Sequence, residues 1–201
     1  MYRIASIVSL PAWLASVAVG AVLLTAVPAM AHEGHAGPMK TVLEDKAALK
    51  AMLPEGAKVA KRKQELDKDS VKWAAEFYGV DLDEGIYTYY LARDKASGKV
   101  LGAAITADAD YRHGKVRIAI GIDGAQHVTQ AAVLGVNEKY LQDIESSSGT
   151  GYIERYAGIS LAEFTDAANE QLSKHDAGQI VAQLLRNSGV LLETLLRKAE
   201  Q

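Results

Sequence analysis

The run "KVRIAIGI", Lys115 to Ile122, limits what this chain can fold into more than any other stretch. Val116, Ile118, Ile120 and Ile122 alternate with Arg117, Ala119 and Gly121. That period of two suits a strand with one buried face and does not suit a helix. Asp123-Gly124 supplies a hairpin turn, and "HVTQAAVLGV" returns as the next strand. Upstream, "IYTYYLAR" (Ile86 to Arg93) is rich in β-formers. "DKASG" is a turn, and "KVLGAAITA" (Lys99 to Ala107) is a strand in which Gly102 permits close backbone approach. "DADYRHG" links it to Lys115. Parallel neighbours need a crossover of roughly a dozen residues or more, so four strands with connections this short pair antiparallel. The sequence predicts an antiparallel meander.

Helical signals flank it. Thr41 and Glu44 make a T-x-x-E capping box that predicts a helix from Thr41, with Val42, Leu43, Leu49 and Met52 apolar and Pro54-Glu55-Gly56 ending it. "AKVAKRKQEL" reads as extended or a short strand. Asp69 or Ser70 caps a second helix in which Trp73, Ala74 and Phe77 share a face, and Gly79 closes it. Beyond the meander, Ser160 and Glu163 form another capping box, followed by Leu161, Phe164, Ala168 and Leu172 at helical spacing. Asp176 caps a last helix to about Ala199, striped by Val181, Leu185, Leu192 and Leu195. Helices, meander, helices is an α+β order, with the meander sheet flanked by helices in one domain, residues 41–201.

Residues 1–31 stand apart. Arg3, an uncharged apolar run from about Ile4 to Val27, Pro28, and the small-x-small triplet Ala29-Met30-Ala31 have the form of a secretory signal peptide. An uncleaved anchor is the competing reading, because the run approaches the length of a membrane span. Cleavage after Ala31 leaves a chain beginning at His32, in the periplasm or secreted. "HEGHAGPM" has no apolar period, so 32–40 reads as a flexible tail. The chain has no cysteine, which excludes disulfides, thiolate metal sites, iron–sulfur clusters and attached c-type haem. Its formal net charge is −3, and without a basic cluster this argues against nucleic acid as a partner.

"IESSSGTGYIERYAG", Ile144 to Gly158, poses the functional question. Hydroxyls and glycines in that density let a backbone approach a phosphate or a ring, and they equally make a surface turn. In order and spacing the chain resembles the FMN-binding domain family, the periplasmic flavin subunits and domains of quinone-reductase and ferredoxin-oxidising electron-transport complexes. "LPEGAKVAKRKQEL" resembles that family's opening, "IYTYYLARDKASGKVLGAAI" its first hairpin and "GKVRIAIGIDGAQHVTQAAVLGVNE" its central hairpin. "SSGTGYIERYAG" sits where the family has a glycine-containing loop followed by an aromatic.

The resemblance implies FMN and a role in electron transfer with a membrane or periplasmic redox partner protein, rather than substrate turnover. It implies a site built from Ser148, Gly149, Thr150, Gly151 and Tyr152, with Gly178 and Gln179 at the last helix. Tyr152, Tyr156 and Leu134 would wall the ring. Many family members esterify FMN to a hydroxyl just before the last helix. Here the matching segment is "HDAGQIVAQ", and Gln179 and Ile180 stand where Ala and the acceptor are expected. Flavin is therefore expected to be non-covalent, or absent from a protein that serves as an accessory or scaffold subunit. A third reading is copper handling: a free amine at His32, its imidazole and that of His35 make a nitrogen chelate. No catalytic Ser/His/Asp set can be nominated from spacing.

Overall fold

The structure, a computed structural model, describes residues 36–174 and 177–200. The elements run β1 (Met39–Thr41), α1 (Asp45–Met52), β2 (Lys58–Leu66), α2 (Lys68–Tyr78), β3 (Gly85–Arg93), β4 (Val100–Tyr111), β5 (Gly114–Asp123), β6 (Val128–Asn137), α3 (Leu141–Ser147), β7 (Gly151–Tyr152), α4 (Leu161–Leu172) and α5 (Gly178–Glu200). The fold is α+β, with an open antiparallel sheet in the order β1-β6-β5-β4-β3-β2. From β2 to β6 every strand pairs with its successor, which is the meander that the short turns predicted. β7 pairs with β6 beside β1.

The alternation in β5 places Val116, Ile118, Ile120 and Ile122 in the main core. That core is closed by α4 and α5, whose Leu161, Phe164, Val181, Leu185, Leu192 and Leu195 are buried. The opposite sheet face is not simply solvated. Ala104, Ala119, Ala132 and Leu134 form a second cluster with Ala48 and Met52 of α1. Gly121 is what admits α1 so closely: a Cβ there would lie 2.6 Å from the Met52 Cβ and 2.6 Å from the Thr129 Oγ1. The Thr129 hydroxyl donates to the Met52 carbonyl at 2.7 Å and ties the end of α1 to β6.

Several local expectations change. The Thr41–Glu44 capping box does not form. Thr41 pairs with Gly135 in the sheet, and α1 begins at Asp45 after Glu44, with no side-chain cap. The tail ends earlier than residue 40, since Ala36 is buried and Met39–Thr41 is a strand. "AKVAKRKQEL" gives a nine-residue strand, and "DADYRHG" is mostly strand around a tight turn at Arg112-His113. Asp67, rather than Asp69 or Ser70, caps α2 and accepts from the Ser70 amide at 3.0 Å. Phe77 is stacked on Trp73 but faces out at 67% exposure, while Ala74 turns inward to Val80 and Val190. The Ser160–Glu163 capping box is present with both its bonds, and Gly79 ends α2. Asp176 lies outside the described residues.

Candidate functional site

The serine–glycine stretch divides into a helix end and a turn. Ser146 and Ser147 each direct a hydroxyl to the Asp143 carbonyl, at 3.2 and 2.7 Å. Ser148 is buried and donates to the Ile144 carbonyl at 3.0 Å. All three hydroxyls are thus engaged with the backbone of α3, the usual local bond of serine in a helix. Gly149 and Gly151 have φ of 84° and 72°, a region where a Cβ is penalised. Nothing lies within 4 Å of a Cβ built at either. Backbone conformation alone accounts for these glycines; no close neighbour requires them. Thr150 sits half-buried between them.

The aromatic walls do not come together. Tyr156 is buried in the main core, edge-on to Phe164 at 4.9 Å with the Arg155 guanidinium 4.8 Å from its ring. Leu134 belongs to the cluster under α1, on the other face of the sheet, because neighbours Val133 and Leu134 in a strand point opposite ways. Tyr152 pairs with Ala132, a member of that second cluster, and its hydroxyl donates to the Ala47 carbonyl of α1 at 3.4 Å. Gly178 opens α5. The Gln179 amide donates to the Leu172 carbonyl at 3.0 Å, so this side chain serves the end of α4. Of the residues nominated for flavin, the Ser148 hydroxyl and the Gln179 amide are engaged with backbone carbonyls, and the nominated ring walls lie on two faces of the sheet.

His32, His35 and His175 lie outside the described residues. His127 bridges to Ser160 in the backbone, and its Nδ1 lies 3.6 Å from the Asp123 carboxylate. His113 is exposed at the β4–β5 turn. Among the described residues no three His, Cys, Asp or Glu side chains are grouped as a metal site would need. No helix among them is long and apolar enough to cross a membrane.

A concavity that the sequence reading missed lies beside α1. It has a volume of about 750 Å³ and is lined by Lys46, Leu49, Lys50 and Leu53 of α1 and its exit, with Val59 of β2 and Tyr90 of β3 opposite. α1 presents Ala48 and Met52 to the sheet and packs on β4, β5 and β6. Its Leu49/Leu53 edge is left beside the uncovered strands β3 and β2. Lys61 is the register partner of Tyr90, so it stands on the same side of the sheet. The sequence carried a trace of this: Leu49/Leu53 and Lys46/Lys50 both repeat at i, i+4, a second helix edge next to the core-facing one.

Comparison with protein-family models, with curated proteins and with solved structures finds no match for the chain.

Proposed function

We propose that the protein is a non-catalytic accessory component of an exported electron-transfer system, working beside a membrane or periplasmic redox partner protein. On this reading it has the element order of an FMN-binding domain but carries no ester-linked flavin and none at the Ser148–Gly151 turn. The observation that carries the second part is the division of the nominated ring walls, with Tyr156 on one sheet face and Leu134 and Tyr152 on the other. The engaged Ser148 hydroxyl and Gln179 amide support it. The first part rests on the sequence resemblance, and the α+β fold with its meander is compatible with it.

A second reading, FMN held non-covalently elsewhere on the domain, is favoured by one feature, the apolar concavity with Tyr90 and two lysines. Flavin-fluorescence titration of the wild type and of Gly149→Val/Gly151→Val separates the two. The accessory reading expects no saturable FMN binding. Saturable binding lost in the folded double variant overturns it and returns the flavin to the turn. Saturable binding equal in both proteins supports the second reading.

A further inference from the structure

We propose that the groove between α1 and the β2–β3 edge of the sheet is a binding site for a small organic anion with a flat apolar body. Its volume of about 750 Å³ falls within the roughly 300–1,000 Å³ of small-molecule sites. Leu49, Leu53 and Val59 give it apolar walls, and Tyr90 gives it an aromatic surface. Val59 is 46% exposed, a large β-branched side chain left open on a strand that is otherwise charged on this face, with Lys61, Lys63 and Glu65.

The charge at the rim selects the ligand's sign. Lys46 and Lys50 stand one helical turn apart on the groove side of α1, and Lys61 stands across from them beside Tyr90. Two acids line the same space, Asp45 and Glu55. Asp45 is paired with Arg117, whose guanidinium lies 2.6 Å from its carboxylate and 3.8 Å from that of Asp108. Among the lining side chains that leaves Lys46 and Lys50 against Glu55, with Lys61 further along the same sheet face. The groove thus pairs an apolar wall with a net positive mouth, which matches an anionic group on an aromatic or aliphatic body and does not match a bare inorganic anion or a neutral polar solute.

The floor is fixed independently of any ligand. Gly121 lets Met52 sit against the sheet, the Thr129 hydroxyl holds the Met52 carbonyl, and Arg117 holds Asp45. Both ends of α1 are therefore tied down, and its ligand-facing edge is preorganised, which lowers the ordering cost of binding.

The probe is 8-anilinonaphthalene-1-sulfonate, an anion with a flat apolar body, titrated by fluorescence into wild type, Lys46→Glu/Lys50→Glu and Tyr90→Ala. Circular dichroism establishes that each is folded at the working temperature. The proposal expects saturable binding to one site in the wild type, weakened by salt. It expects affinity roughly tenfold lower or worse in the surface lysine variant with its Tm unchanged, and a comparable loss in Tyr90→Ala. Should Tyr90→Ala fail to fold, the lysine variant carries the test. Equal affinity in wild type and lysine variant, or no saturable binding in the wild type, overturns the proposal and leaves the accessory reading standing. FMN displacing the probe upholds the groove while overturning the flavin-free reading, so the two fail separately.

Discussion

Gln126 is one of two non-glycine residues with positive φ among those described, at 66°. It closes the β5–β6 turn, and its amide donates at 2.8 Å to Glu193, a carboxylate of α5 that is only 3% exposed. The side chain thus satisfies part of a buried polar group at the cost of a strained backbone. Gln126→Ala loses the bond and keeps the strain, whereas Gln126→Gly loses the bond and relieves the strain. The glycine variant is expected to be the more stable by about 1 kcal/mol in urea denaturation. Asp67 shows the same economy at a helix start. The Lys198 ammonium, then the Ser70 hydroxyl and amide, hold its carboxyl well below the ordinary 3.8. A lowered folded value means that its stabilisation is complete above pH 3.8 and fades as pH falls below it. The Tm gap between wild type and Asp67→Ala should therefore be steady near neutrality and shrink in acid; a constant gap down to low pH contradicts the pairing. Asp67 also shows where residue-level reading slipped. Asp67, Asp69 and Ser70 are all competent caps, and the one used also meets Lys198 of α5, a partner that local sequence does not show.

At the scale of elements, alternation and capping were legible where local and tertiary demands agreed. β5 follows from its period of two, β6 from the hairpin turn that precedes it, and α4 from Ser160–Glu163. They failed where a long-range partner took over. Thr41 has the sequence of a helix cap, but the free edge of β6 recruits Met39–Thr41 as β1, and no local pattern announces a three-residue exposed strand. The Ser148–Gly151 turn was legible as an irregularity, while its meaning was not. Whether a glycine serves a ligand or a positive φ depends on what surrounds it, and here the backbone suffices. α1 supplies the test at this scale. Gly121→Ala places a methyl 2.6 Å from Met52, overpacking expected to cost about 1–3 kcal/mol. It should also weaken probe binding in the groove by shifting α1. A neutral effect on urea stability would mean that α1 is not seated as described.

At the scale of the whole molecule, the sequence conveys the order of elements and conceals which face of the sheet each covers. The α+β class and the meander came from periodicity and turn lengths, both local properties. The allocation of Leu134 and Tyr152 to the α1 side and of Tyr156 to the α4–α5 side comes from register and layer packing, which no spacing along the chain states. That allocation is what the proposed reading draws on, because the ring walls nominated from the sequence lie on two faces of the sheet. The groove beside α1 likewise exists only once a short helix covers half of a sheet face and leaves β2 and β3 open. On the proposed reading this architecture works without a bound flavin. Acid precipitation of the protein as purified, with visible absorption and flavin fluorescence read in pellet and supernatant, tests it most directly. A flavin-free domain leaves no flavin in stoichiometric amount in either fraction. Flavin fluorescence retained by the denatured polypeptide, or released from it in equal amount, would contradict it.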